Sequence, residues 1–328
     1  MLQYSKHLLL AAALLVVPAF AQDATQESTA EPVILADEIT FVSPVSGLLP
    51  EGIAWDAAQG RFLVGSLSQG TIHSIIPNDD GTATIEPFIE DEELMSTVGL
   101  EIDVENNRML VSNSAASAFS GGAGAAMLAS YDLVTGERIY LVDLAPLYES
   151  RTNFLNDVTV DNEGNAYATN SFAPVLYKVT PEGEASVLIE DPLLSASFLG
   201  SNGIVYHDDG YLIVANAGNQ ALLRVTLGDE VAITPIELDI PFGADGLILA
   251  EDGTLYAVAS GGSSGQYIAA AVSEDDWETA TVTNLGETTD AATTITLVGD
   301  RPYYINAYLG ENTRTDYEIV GVTEESEN

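Results

Sequence analysis

The sequence predicts an all-β fold, a six-bladed β-propeller closed by an N-terminal strand, and three observations support this prediction. Short strands of alternating or β-branched residues recur between Gly, Asn and Asp turns, and patterns typical of long helices are absent. One unit, a leading residue followed by a short strand, an acidic turn and a second strand, occurs six times. A spare strand precedes the first unit. Together these features predict one propeller domain over residues 33–322.

The repeated units have the length of a propeller blade. They begin at Glu51, Val98, Asn156, Asn202, Asp245 and Ala292. Successive units lie 47, 58, 46, 43 and 47 residues apart, and a four-stranded blade takes roughly 40–50 residues. The longer second interval leaves room for a loop of small residues, "SAASAFSGGAGAA", which we expect to be mobile. A β-sandwich pair or a solenoid is the alternative architecture for such repeats.

The two ends of the predicted domain complement each other. The last unit has one obvious strand after its hairpin, "YEIVGVT", so its blade lacks a fourth strand. The segment "VILADEITF", residues 33–41, can supply that strand and pair the start of the chain with its end. Such closure removes the exposed edges of an open sheet, and it needs no disulfide.

The segments outside the domain indicate export and polar tails. Residues 1–21 are typical of a signal peptide, because basic residues precede a short apolar run that ends in small residues. We therefore expect a secreted or periplasmic protein cleaved near Ala21, with an uncleaved anchor as the alternative. Residues 22–32 are expected to form a flexible leader, and residues 323–328 a disordered tail.

The composition narrows the classes of partner. The formal net charge is −41, and this excess of carboxylates repels nucleic acid and anionic lipid. We therefore expect no nucleic-acid or membrane partner, and we expect a monomer. A solvated surface suited to a saline or acidic environment accounts for this acidic protein without a binding role. The chain has no cysteine, which excludes disulfides, thiolate metal sites and cysteine nucleophiles.

The first residue of each unit is a candidate ligand for a metal ion. These positions start the innermost strands, so in a propeller they form a ring at one mouth of the central channel. Four of them carry side-chain oxygen atoms: Glu51, Asn156, Asn202 and Asp245. Mixed carboxylate and amide oxygens suit a hard divalent cation, while the lack of imidazole and thiolate argues against zinc or copper. We expect Ca²⁺, with Mg²⁺, Mn²⁺ or Zn²⁺ as alternatives. Each Asn or Asp alone could instead stabilise a local turn.

Four of the unit starts resemble a known family. "PEGIAWD", "NDVTVDNEGNAYATN", "SNGIVYHDDGYLIVAN" and "ADGLILAEDGTLYAVAS" are similar to the senescence marker protein / gluconolactonase family, which includes regucalcin. The resemblance implies a six-bladed propeller that holds one divalent cation and hydrolyses sugar lactones or related esters. It implies metal ligands at Glu51, Asn202 and Asp245, with Asn156 beside metal and substrate. It also implies that Asp245 is the catalytic residue that orients or deprotonates water.

One position departs from the family pattern. Sugar lactonases of that family often carry Arg two residues before the position of Asn156, whereas this chain has Phe154 there and Arg151 three residues further upstream. The loss of a hydrogen-bond donor favours an apolar lactone or ester over gluconolactone, with Phe154 and Asn156 as substrate-binding residues. The alternative function is a non-catalytic propeller that binds a ligand or protein and keeps the cation for rigidity.

Overall fold

The structure is a computed structural model that describes residues 35–260, 265–288 and 291–323. These residues contain no α-helix and form six sheets arranged as a six-bladed β-propeller, which confirms the predicted fold class. Within the same residues, no helix is long and apolar enough to cross a membrane. The predicted signal peptide, the leader and the tail after residue 323 lie outside the described residues.

Four antiparallel strands build each blade, from the channel outward. The first strand of the chain, which belongs to blade six, is β1 (Glu38–Val42). Blade one contains β2 (Ile53–Asp56), β3 (Arg61–Val64), β4 (Thr71–Pro77) and β5 (Ala83–Glu90). Blade two contains β6 (Ser96–Asp103), β7 (Arg108–Ser114), β9 (Met127–Asp132) and β10 (Arg138–Asp143), with β8 (Gly124–Ala125) between β7 and β9 in the chain. Blade three contains β11 (Asn153–Val160), β12 (Ala166–Asn170), β13 (Val175–Val179) and β14 (Ala185–Glu190).

The remaining blades follow the same order. Blade four contains β15 (Ser201–His207), β16 (Tyr211–Asn216), β17 (Ala221–Thr226) and β18 (Ala232–Pro235), followed in the chain by β19 (Glu237–Leu238). Blade five contains β20 (Gly243–Leu249), β21 (Leu255–Ser260), β22 (Gln266–Val272) and β23 (Thr279–Glu287). Blade six contains β24 (Ala292–Val298), β25 (Arg301–Asn306), β26 (Asp316–Gly321) and β1. In the described part of the chain, three short 3-10 helices lie in connecting loops, at Ala116–Ser120, Ala145–Leu147 and Pro192–Leu194.

Blade six joins the beginning and the end of the described chain, as the sequence predicts. β1 pairs antiparallel with β26, from Glu38 opposite Val320 to Val42 opposite Asp316. The strand begins at Glu38 and is therefore shorter than the predicted segment 33–41. Within this strand, the side chain of Phe41 is 2% exposed and packs in an apolar cluster shared by blades six and one.

The core lies between neighbouring blades. Six apolar clusters each combine buried side chains from two adjacent blades, for example Tyr211 and Ile213 of blade four with Leu255 and Ala257 of blade five. This arrangement follows from the alternation of side chains along each strand, which gives every sheet two faces to cover. Packing of blade on blade fixes the inner strands around the channel.

A β-bulge interrupts the inner strand of five blades at the same place. The register of β6, β11, β15, β20 and β24 shifts across two residues at the start of the repeated unit. Bulges bend a strand and redirect side chains, and they are common next to active sites. In blade six the shifted residues are Thr293 and Thr294, while Ala292 pairs regularly with Asn306. The prediction that Ala292 occupies the ring was therefore wrong by one residue, and the equivalent position is Thr293.

Glycine is the second residue of four of the six units, and at two of these positions the inner strands of neighbouring blades approach closely. A Cβ atom on Gly52 would overlap the carbonyl oxygen of Val98, and one on Gly203 would overlap that of Asp245. The inner strands of adjacent blades thus meet backbone against backbone at the channel mouth. This close contact brings the first residues of the units in successive blades towards one another.

We expect Gly203→Ala to destabilise the fold by about 1–3 kcal/mol, because the added methyl group overpacks a tight contact. Its Cβ would lie 2.8 Å from Leu247 Cγ as well as against the Asp245 backbone. Urea denaturation measures the stability, and calcium titration measures the effect on the ring of proposed oxygen ligands at the channel mouth. The control is Gly210→Ala in an exposed turn with φ of 86° and open space around it, where strain lowers stability without changing calcium affinity. Unchanged stability and affinity in Gly203→Ala would contradict the tight contact.

Candidate metal and active site

The three predicted metal ligands, which come from blades one, four and five, lie near one another. Asn202 donates a hydrogen bond from Nδ2 to Asp245 Oδ1 at 2.9 Å. Burial raises the pKa of Glu51 well above its ordinary value, and the charges of Asp245 and then Asp157 raise it further. The charge effect relates Glu51 of blade one to Asp245 of blade five. Thr293 Oγ donates to the backbone oxygen of Glu51 at 2.8 Å and links blade six to the same region.

Internal hydrogen bonds orient both amide side chains. Asn156 Nδ2 donates to Ser171 Oγ at 3.0 Å, and Ser171 Oγ donates in turn to the backbone oxygen of Ser201 at 2.8 Å. The amide nitrogen of Asn202 is likewise committed to Asp245. Within the described part of the chain, neither amide oxygen accepts a hydrogen bond. Both oxygens are therefore available to a cation or a substrate.

The donor set fits a hard divalent cation. Glu51 is 8% exposed, and its carboxylate makes no hydrogen bond or ion pair with the described residues. A buried carboxylate without a partner is unfavourable unless a cation or a proton neutralises it. No three His, Cys, Asp or Glu side chains gather as a metal site among residues that the structure describes. Binding would therefore depend on the amide oxygens as well as on Glu51 and Asp245, which suits Ca²⁺ or Mg²⁺ better than Zn²⁺.

Asp245 has the surroundings of a proton acceptor. Burial raises its pKa to about 6, and the hydrogen bond from Asn202 opposes this rise. Among the described residues, its Oδ1 atom accepts that bond and its Oδ2 atom accepts none. The carboxylate is therefore mostly ionised at neutral pH and keeps one oxygen for a ligand or a water molecule.

Asp157 is a channel residue that the sequence analysis did not single out. Burial raises its pKa to about 7, although the backbone N–H groups of Val158 and Ile204 donate to it at 2.9 Å and 3.2 Å and lower the pKa. The charge of Asp245 raises it further. The sequence did contain an indication of its importance, because Asp157 is the second residue of its unit, a position that four other units fill with Gly.

A second carboxylate lies further along the channel. Burial raises the pKa of Glu101 to about 8, and the charges of Asp157 and Asp103 add to the rise. Glu101 and Asp157 line a channel cavity of about 240 Å³, which the inner strands of all six blades enclose. The channel thus concentrates negative charge below the ring, and no described Lys or Arg forms an ion pair with Glu51, Glu101 or Asp157.

The structure places Phe154 beneath the long loop of the second repeat. That loop forms the 3-10 helix Ala116–Ser120 and the strand β8, which pairs in parallel with Asn153 and Phe154. The loop predicted to be mobile therefore has regular structure here. Phe154 is 2% exposed, and the ring of Phe119 lies over it with centroids 4.7 Å apart. Direct substrate contact by Phe154 remains a prediction, and Phe119 is the exposed ring above it.

Known structures share the fold. No protein-family model and no curated protein sequence matches this chain. The allergen Mala s 1 of Malassezia sympodialis is 17% identical, with a TM-score of 0.73 over 90% of this chain and 98% of the allergen. A gluconolactonase of Xanthomonas campestris is 16% identical, with a TM-score of 0.58 over 85% of this chain and 88% of the enzyme. A luciferin-regenerating enzyme is 14% identical, with a TM-score of 0.59 over 87% and 96%.

At these identities the similarity shows the fold and not the activity. The neighbours nevertheless include gluconolactonases and a luciferin-regenerating enzyme, which is consistent with the gluconolactonase-like family that the unit starts resemble.

Proposed function

We propose that this protein hydrolyses a lactone or related ester with the help of a divalent cation, in the first place Ca²⁺. Glu51, Asn202 and Asp245 would hold the cation, and Asn156 would contact both cation and substrate. The observation that carries the proposal is the buried carboxylate of Glu51, which has no partner among the described residues and whose pKa the charge of Asp245 raises. Asn202 donates a hydrogen bond to the same Asp245 at 2.9 Å. The gluconolactonases among the structural neighbours support the choice of reaction.

The reaction adds water to a carbonyl carbon and breaks the ring C–O bond. When bound, the cation supplies Lewis acidity that polarises the carbonyl and lowers the pKa of water. Asp245 takes a proton from the attacking water and returns it to the alkoxide that leaves, so that the product is a hydroxy acid.

The neighbours of Asp245 orient the reacting groups. Asn202 fixes the carboxylate of Asp245 by its 2.9 Å hydrogen bond, so the second carboxylate oxygen keeps one position. Ser171 fixes the amide of Asn156 in the same way at 3.0 Å, and the amide oxygen or nitrogen can then hold the substrate beside Asp245. Preorganised polar groups of this kind stabilise a transition state without reorganisation.

A panel of lactones and esters tests the proposal. Sugar lactones, aliphatic γ- and δ-lactones and aryl esters are supplied to the calcium-loaded protein, and acid release is followed with a pH indicator. We expect turnover above the enzyme-free rate, with apolar lactones ahead of gluconolactone. A protein that binds calcium and hydrolyses no member of the panel would contradict the proposal and would indicate a non-catalytic binding propeller.

A further inference from the structure

Four phenylalanine rings form an aromatic cluster at the same mouth of the channel as the ring of oxygen ligands. Phe119, Phe154, Phe172 and Phe198 lie with neighbouring ring centroids 4.7–6.3 Å apart. Phe119 is 43% exposed and Phe198 is 63% exposed, whereas Phe154 is buried beneath them. Exposed rings gathered on a buried base mark a surface that binds an apolar group.

A cavity lies against two side chains of this aromatic cluster, Phe172 and Phe198. Its volume is about 460 Å³, and its lining includes Phe172, Phe198, Ser171 and Arg151. Ser171 is the residue that orients the amide of Asn156, so one wall of the cavity touches the support of the site. The volume lies within the range of small-molecule sites, roughly 300–1,000 Å³.

Arg151 differs from the other arginines because no described acidic side chain forms an ion pair with it. In the part of the chain that the structure describes, every other arginine forms an ion pair with Asp or Glu. Arg151 is exposed and has neither an ion pair nor a ring contact there, although Glu149 is only two residues away. In a chain with 50 acidic and 9 basic residues, most of the surface repels anions. A free guanidinium in a cavity is then a selective place for a carboxylate, which Arg binds through paired hydrogen bonds.

We propose that this cavity binds an apolar small molecule that carries a carboxylate group. The apolar part packs on Phe172 and Phe198, and the carboxylate pairs with Arg151. The inference also assigns the substrate as an apolar lactone or ester with a carboxylate substituent, and this assignment rests on the proposed function. The binding part stands without any reaction.

Binding is tested with 4-phenylbutyrate and its uncharged analogue 4-phenylbutan-1-ol by isothermal titration calorimetry. Chelator is present, so that the carboxylate cannot bind through a metal ion. We expect the acid to bind at least about tenfold more tightly than the alcohol, as a charge-assisted pair is stronger than a neutral one. Arg151→Gln should abolish this preference for the acid, and Phe198→Ala should weaken the binding of both compounds. Equal affinities in the unmodified protein, or a preference that survives Arg151→Gln, would overturn the inference.

Two matched variants exclude general effects. Arg138→Gln removes an arginine of the outer strand β10 that pairs with Asp91 and Glu93, and Ile139→Ala removes an apolar side chain that is 51% exposed. Neither lies at the cavity, so both should bind the two probes as the unmodified protein does. A loss of preference in Arg138→Gln equal to that in Arg151→Gln would overturn the inference, because the effect would then be one of net charge.

Hydrolysis separates this inference from the proposed function. For a lactone with a carboxylate substituent, Arg151→Gln should raise KM about tenfold with little change in kcat, while the methyl ester of the same lactone should be unaffected. Hydrolysis of both compounds without any effect of Arg151→Gln would overturn the inference and leave the proposed function intact. Selective binding of 4-phenylbutyrate without hydrolysis of any lactone would support the binding inference and contradict the proposed function.

Discussion

Replacement of Asp245 by Asn is expected to lower kcat/KM for lactone hydrolysis by roughly 10²–10⁴-fold, the usual contribution of a positioned acid–base group. Asn has the shape of Asp, and its side-chain oxygen can still accept the hydrogen bond that Asn202 donates at 2.9 Å. The substitution therefore removes the negative charge and the proton acceptor while it preserves the contacts. Calcium affinity should fall as well, because one of the two carboxylate ligands is lost.

The measurement combines steady-state kinetics with calcium titration and circular dichroism. Asp209→Asn is the matched control, since Asp209 has a side chain 73% exposed in the turn after β15 and should give unchanged kinetics. If calcium-saturated Asp245→Asn retained the rate of the unmodified protein, another group would have to take the proton, and the assignment of Asp245 would be wrong.

A second large effect is expected on the free energy of unfolding, which should depend on both pH and calcium. The pKa values of Asp245, Asp157 and Glu101 are raised to about 6, about 7 and about 8, above the ordinary values of 3.8 and 4.5. The folded protein consequently binds more protons than the unfolded chain over this range. The free energy of unfolding of the metal-free protein should therefore decrease as the pH rises from about 4 to about 8.

Calcium should reverse this loss. The cation binds the ionised carboxylates of the folded state, so it stabilises most at high pH, where no proton competes. At a free concentration of 100 times Kd, it should add about 2.7 kcal/mol. Urea denaturation at pH 5, 6, 7 and 8, with chelator or with calcium, measures both effects.

A variant assigns the pH effect to the channel. Asp157→Asn removes one of the raised pKa values and should flatten the decrease for the metal-free protein between about pH 4 and about pH 7. If the free energy of unfolding of the metal-free protein rose over this interval, the channel carboxylates would have to be neutralised by something other than a bound proton.

The fold could be predicted from the sequence because it is repeated. Six units at blade spacing and one unpaired strand leave few architectures, and the pairing of β1 with β26 follows from the missing strand of the last unit. The ring was predictable for the same reason, since the first residues of the units occupy equivalent positions. That equivalence is the basis for predicting Glu51, Asn202 and Asp245 as one set, and the structure shows the contact between Asn202 and Asp245.

Other features of the site depend on contacts that a repeat pattern does not contain. The position of Thr293 depends on a β-bulge, and a hydrophobic pattern does not show where a strand gains an extra residue. The burial of Phe154 depends on Phe119, which comes from a loop of the preceding blade. Asp157 could have been found by comparing the second residue of each unit. The cation, the export signal and the catalytic role of Asp245 stay predictions.

The pairing of β1 with β26 has a consequence for biosynthesis. β1 must wait for β26 to be synthesised, so the contact that completes the propeller joins residues as far apart in the sequence as Glu38 and Val320. Contacts of such long sequence separation form slowly, and a truncated translation product would keep an open gap. Because the proposed ligand oxygens come from four blades, the acquisition of calcium affinity during refolding would report when β1 pairs with β26 and the propeller closes.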